Sequence, residues 1–164
     1  MVKSILDGKR VLVVDDEPDV LAILKEEILE AAPKCELEMA TAYQEAARKI
    51  ESQTYDVVVL DIMGVSGFEL LESAVKRNFR VTMLTAHALN VEALNRSFKM
   101  RAMAYLPKEE LGNIVPFLED ILKYDYLPGW KNLLKKLKTF FDSRFESNWE
   151  RKTDLPWKEW GKIN

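Results

Sequence analysis

The chain has 164 residues and a mass of 19.0 kDa, room for one compact domain with a small appendage but not for two large domains. Hydrophobic residues make up 48% and charged residues 31%, a balance that excludes wholesale disorder, while a net charge of -3 favours no particular partner. The single cysteine, Cys35, excludes an intramolecular disulfide framework and every multi-cysteine metal site, and as a small core hydrophobe it fits a reducing cytoplasm.

Near the N-terminus the longest uncharged run is Val11 to Val14, too short for a signal-peptide core or a membrane span, so a soluble cytoplasmic protein is expected. Short aliphatic runs then alternate with helical patterns. The strand candidates are Arg10 to Val14, Cys35 to Ala40, Asp56 to Leu60, Arg80 to Leu84 and Ala102 to Leu106. Between them, Pro18 to Glu30 opens on a first-turn proline and repeats Val20, Leu21, Leu24, Ile28 and Leu29 at helical spacing. Thr41 to Ser52 reads as a helix with a threonine N-cap, followed by Gly67 to Arg77, Leu89 to Met100 and Asn113 to Lys123, the last with Asn113 as N-cap. Five βα units imply an α/β fold, a doubly wound parallel sheet with helices on both faces, because parallel strands need right-handed crossovers.

Ligands of such sheets gather at the carboxyl ends of the strands. Those ends carry Asp15, Asp16 and Glu17 after the first strand, Asp61 after the third, Thr85 after the fourth and Lys108 after the fifth. Crowded carboxylates repel one another and raise each other's pKa unless a cation joins them, and an all-oxygen set suits Mg²⁺. A lysine and a hydroxyl on neighbouring strands supply what phosphoryl oxygens need once the group sits on a carboxylate. The constellation reads as aspartyl phosphorylation. Taken singly, Asp15-Asp16 would pass for a turn or helix N-cap and Lys108 for a solvated charge; Asp15, Asp16, Asp61, Thr85 and Lys108 on strand ends together do not. His87, the only histidine, pairs with no nucleophile in the sequence and reads as a solvent-facing loop residue.

Residues 1–123 resemble the receiver domain of two-component response regulators, on the motifs VLVVDDEP (11–18), VVVLDIM (57–63), MLTAH (83–87) and AYLPK (104–108). The resemblance implies a flavodoxin-like sheet of order 2-1-3-4-5 and, residue by residue, Asp61 as phosphoacceptor. It also implies Mg²⁺ held by Asp16, Asp61 and the Met63 carbonyl with Asp15 acting largely through water, and Thr85 and Lys108 on the phosphoryl group. Tyr105 falls where the family keeps its switch aromatic. A histidine kinase or phosphotransfer protein would be the donor, catalysis would be confined to taking up and hydrolysing the chain's own aspartyl phosphate, and output would be phosphorylation-dependent interaction with a downstream protein. Two departures stand out. The segment Asp61-Ile-Met-Gly-Val-Ser-Gly67 is shorter than the family's and lacks its proline, and Lys108 is followed by Glu109 where the family has proline. They keep open a degenerate receiver serving as a non-phosphorylated scaffold.

Charge and composition change near Tyr124. Residues 1–123 hold 15 Lys and Arg against 21 Asp and Glu, whereas residues 124–164 hold 9 against 6 and all four tryptophans. After a break expected at Pro128-Gly129, Trp130, Leu133, Leu134, Leu137, Phe140, Phe141, Phe145 and Trp149 recur at steps of three and four, predicting an amphipathic helix of six turns. Its apolar face has four candidate surfaces: the receiver part itself, a partner or second copy as a homodimer, an anionic membrane, or DNA. The acidic second half weighs against a membrane surface, and the lack of helix-turn-helix spacing weighs against nucleic acid.

Overall fold

β1 (Arg10–Val14) and β3 (Val57–Asp61) are almost wholly aliphatic because they lie inside the sheet, covered on both faces. The structure, a computed structural model, describes residues 4–161 and 163. With β2 (Glu36–Ala40), β4 (Arg80–Thr85) and β5 (Ala104–Pro107) these strands form one parallel sheet of order β2-β1-β3-β4-β5. The chain therefore has the doubly wound flavodoxin-like fold expected from its motifs. Register pairs Val14 with Leu60, Asp61 with Leu84, and Thr85 with Pro107, which brings the functional ends of the strands level.

The helices are α1 (Pro18–Ala31), α2 (Tyr43–Ser52), α3 (Gly67–Lys76), α4 (Val91–Lys99) and α5 (Ile114–Lys123). α1 packs beside α5, and α2 beside α3. Three details differ from the sequence reading. The N-cap of α2 is Ala42, and Thr41 instead uses its N–H to bind Glu45 Oε1 at 3.0 Å. α4 begins after Asn90, whose side chain caps it by accepting from the Ala93 N–H at 2.8 Å. Asn113 does not cap α5 with its side chain, because a 3-10 turn over Lys108–Asn113 runs directly into that helix.

The two sheet edges are treated differently. β2 exposes Glu36, a charge that discourages pairing with another strand, whereas every residue of β5 is buried. The C-terminal segment buries that second edge. α6 (Tyr126–Arg144) packs on α5 and β5, a 3-10 turn (Trp149–Lys152) packs on α4, and a last helical turn, α7 (Trp157–Trp160), follows.

The expected break at Pro128-Gly129 is not one. Pro128 stands in the first turn of α6, where backbone N–H groups have no intrahelical acceptor and a missing one costs nothing, and the Gly129 N–H already donates to the Asp125 carbonyl at 2.7 Å. The helix also stops earlier than its apolar spacing predicts. Phe145 turns extended and Asn148 adopts φ 62, a left-handed conformation asparagine tolerates, which reverses the chain so that Trp149 Nε1 donates to Asp142 Oδ1 at 2.8 Å. Phe145 and Trp149 rejoin the apolar face from outside the helix, stacked at 5.2 Å and edge-on at 6.0 Å against Phe141.

Of the four surfaces open to that face, the receiver part is the one that takes it. Trp130, Leu133, Leu134, Leu137, Phe141 and Trp149 are all buried in the same core as the sheet. Polar bonds fix the register of this docking: Trp130 Nε1 donates to the Ala102 carbonyl at 2.8 Å, the Tyr126 hydroxyl donates to the Phe98 carbonyl, and Asn132 and Lys136 both bind Asp120. Among the described residues, no helix is long and apolar enough to cross a membrane.

Candidate functional site

The carboxyl ends of β1, β3, β4 and β5 meet in one cleft. Asp15 and Asp16 follow β1, Asp61 ends β3, Thr85 ends β4, and Lys108 follows β5. Asp15, Asp61 and Thr85 are buried, whereas Asp16 is exposed at the mouth. Each of the three aspartates offers a carboxylate oxygen within 4.8 Å of the others. The open cleft above them, about 240 Å³, is lined by Asp16, Glu17, Asp61, Met63, Gly64 and His87.

Lys108 pairs with two of these aspartates and with Glu17. Its Nζ lies 2.9 Å from Asp15 Oδ2, 2.9 Å from Glu17 Oε1 and 3.4 Å from Asp61 Oδ1. The lysine reaches the pocket without a cis bond before Glu109, since the described residues contain no cis peptide. Burial alone would lower the pKa of Lys108, but its bonds to Asp15 and Glu17 and the charge of Asp61 outweigh it and hold the ammonium above its ordinary range. At Asp61 the balance goes the other way. Burial first, and then the Asp15 charge, push its carboxyl up to about 6 against the pull of Lys108. One cation is too few for the carboxylates it faces.

That shortage bears on whether Mg²⁺ suits these residues. Asp15 Oδ2 is buried with no aligned hydrogen-bond donor, although Lys108 Nζ is close enough to pair with it electrostatically. An unsatisfied buried carboxylate oxygen beside two further carboxylates in an open cleft is a hard-oxygen donor set with a lone pair to spare, so the residues fit the ion.

The shortened segment after Asp61 folds tightly over the site. Gly64 has φ +88, and a Cβ there would lie 2.5 Å from Asp16 Oδ2; only glycine lets the backbone pass this close to the carboxylate. A Cβ at Gly67 would run into the Asp61 carbonyl, so the turn from β3 into α3 also requires glycine.

The structure brings Asp15, Asp16, Asp61 and Lys108 together, puts Met63 on the rim and buries Thr85 at the end of the strand beside Asp61. Tyr105 is elsewhere, fully buried, its hydroxyl donating to the Ala88 carbonyl at 2.6 Å. Two members of the cleft have no role assigned to them from the sequence. Glu17 shares Lys108 with the aspartates and is thereby held more acidic than usual by the lysine's hydrogen bond. Its place one residue after Asp16 on the same loop was the available signal. His87 is exposed as expected, yet it borders the same cleft as Asp61.

The sheet order alone serves many functions, so the class of this domain is decided by comparison with known proteins. The profile of the response regulator receiver domain matches residues 11–115. The chain belongs to the response regulator receiver family of two-component signalling. Among solved structures it is similar to a CheY-like response regulator receiver domain protein from Methanospirillum hungatei JF-1, at 28% identity and a TM-score of 0.55, covering 88% of this chain and 98% of that one. It also resembles a LuxR-family two-component response regulator from Aurantimonas sp. SI85-9A1 (26% identity, TM-score 0.62, covering 70% and 85%). The receiver domain of the Francisella response regulator 1452 is similar as well (28% identity, TM-score 0.57, covering 68% and 96%). A comparison with curated proteins finds no match.

Proposed function

We propose that this protein is a response regulator that accepts a phosphoryl group on Asp61 from a histidine kinase or phosphotransfer protein and signals through protein interaction. The observation that carries this reading is the convergence of Asp15, Asp16, Asp61, Thr85 and Lys108 from four strand ends on one open cleft. With a pKa near 6, Asp61 is largely ionised at neutral pH, and its oxygen can attack the phosphorus of a phosphohistidine. A P–O bond forms as the P–N bond breaks, and the leaving imidazole takes up a proton. Lys108, already 3.4 Å from Asp61 Oδ1, is placed to bind an oxygen of the arriving group, and the Thr85 hydroxyl is a donor on the adjacent strand.

Asp15, Asp16, Asp61 and the Met63 carbonyl are the groups that would hold Mg²⁺, which supplies positive charge against the phosphoryl oxygens when bound. Catalysis by the chain is confined to uptake of the phosphoryl group and its later hydrolysis. Incubation with a small-molecule phosphodonor and Mg²⁺, followed by intact mass, tests the reading. Wild type is expected to gain one phosphoryl group and Asp61→Asn none. No uptake by wild type, or equal uptake by the variant, would leave a receiver fold kept as a scaffold.

A further inference from the structure

Ala88 carries two hydrogen bonds that lead in different directions. Its N–H donates to Thr85 Oγ1 at 2.8 Å, and its carbonyl accepts from the Tyr105 hydroxyl at 2.6 Å. Thr85 ends the strand beside the acceptor. The Tyr105 ring lies 6.0 Å from that of Phe141 on α6. From Phe141 a line of rings continues to the end of the chain. Phe141 meets Trp149 at 6.0 Å, Trp149 meets Trp157 at 5.6 Å, and Trp157 meets Trp160 at 5.7 Å. A second tie runs alongside: Arg144, the last residue of α6, binds both carboxylate oxygens of Glu109, the residue after Lys108.

The acceptor cleft is therefore joined to the C-terminal segment at two points, through Ala88 and through Glu109. Resting on the phosphoacceptor reading above, we propose that residues 126–160 form a strap whose grip on α4, β5 and α5 is set by the state of Asp61, with Ala88 as the relay. A phosphoryl oxygen on Asp61 takes the Thr85 hydroxyl as a donor and draws it into the cleft. The Ala88 amide then loses or follows its acceptor, and its carbonyl shifts against the Tyr105 hydroxyl. Tyr105 is fully buried and packs on Phe141, so it cannot change place without opening the ring contacts that hold the strap. Close-packed interiors answer such a demand by switching between two arrangements rather than by deforming smoothly. Linkage makes the effect reciprocal: a docked strap disfavours the phosphorylated state by the same free energy with which phosphorylation loosens the strap.

All four tryptophans lie in the strap, so tryptophan quenching by acrylamide reports on it alone, and amide exchange locates the change. In the full chain without phosphodonor, Thr85→Ala removes the acceptor of the Ala88 N–H, and Tyr105→Phe removes the donor to its carbonyl. Each is expected to raise exchange over residues 126–160 by about fivefold or more, while β1 and β3 stay protected. No change in either variant, or a uniform rise through the whole chain, overturns the relay. In a second arm the wild type is treated with a small phosphodonor and Mg²⁺, and intact mass is read on the same sample. Phosphoryl uptake with a faster-exchanging strap, absent from Asp61→Asn, supports the proposal. Uptake with an unchanged strap overturns it and leaves the acceptor reading standing. If there is no uptake, the acceptor reading falls, and the two substitutions of the first arm still decide whether Ala88 couples the strands to the strap.

Discussion

The acceptor cleft and the strap solve opposite problems with opposite materials. The cleft sets the carboxylates of Asp15, Glu17 and Asp61 around the ammonium of Lys108, with Asp16 beside the other two aspartates, a concentration of like charge that folding alone would avoid. The strap buries Trp130, Leu133, Leu134, Leu137, Phe141 and Trp149 against β5 and its flanking helices and gathers apolar area. One region is held away from its most stable arrangement so that chemistry can occur there; the other contributes stability. The contrast teaches that the C-terminal segment is part of the receiver's core and not a separate effector hung from it.

Removing the strap is the severest way to break that comparison. A chain ending at Tyr124 would uncover the faces of Phe98, Tyr105 and β5 on which the strap packs and leave an apolar patch in water. It is expected to self-associate in sedimentation and to melt well below the full chain; a truncated monomer of equal stability would show that the strap is an ornament. A narrower cut is Trp130→Ala, which deletes a fully buried ring and orphans the Ala102 carbonyl, at an expected cost of about 3 to 5 kcal/mol in urea unfolding.

In the cleft a substitution should have the opposite sign. Between pH 3.8 and about 6 the folded chain keeps a proton on Asp61 that the unfolded chain has lost, so the unfavourable contribution of this group is absent below that window and complete above it. Asp61→Asn is therefore expected to stabilise the Mg²⁺-free protein by roughly 3 kcal/mol at pH 8, with the gain fading as pH falls through 6 toward 4. Urea midpoints of both proteins across that range check it, and a variant less stable than wild type at pH 8 would sink the picture of an overcrowded site. The smallest effect belongs to the surface. Arg144→Ala removes a solvent-exposed pair with Glu109 and should cost about 0.5 kcal/mol in the same assay, diminishing with added salt.

The placement of the cleft residues was legible in the sequence almost position by position, because polar side chains that follow the strands of one parallel sheet are brought level at its carboxyl edge. Asp61, Thr85 and Lys108 can be named from the strand ends they occupy, which the order of the sheet places side by side. Glu17 was named at the same strand end without a role, because its bond to Lys108 exists only once β1 and β5 stand in the same sheet. The strap was legible only as an apolar face. Burial is non-directional, so the spacing of Leu133, Leu134 and Leu137 told which side was buried but not what buried it. Its ends were misread for local reasons. Pro128 looks like a breaker until the helix is seen to begin two residues earlier, and Phe145 and Trp149 keep the helical rhythm although the chain has already left the helix.

One modest feature limits what the strap can do. Only Tyr124 and Asp125 separate α5 from α6, and Arg80 at the start of β4 pins that joint by donating to the carbonyls of Ile121 and Tyr124 at 2.7 and 2.8 Å. A loosened strap therefore stays tethered within reach of its own binding face, at an effective concentration on the order of millimolar. Any protein that recognises the uncovered β5 edge must outcompete this resident ligand. On the proposed function, the threshold for output would be set by the length of a two-residue joint as well as by the chemistry at Asp61, and inserting residues there should lower it without touching Asp61.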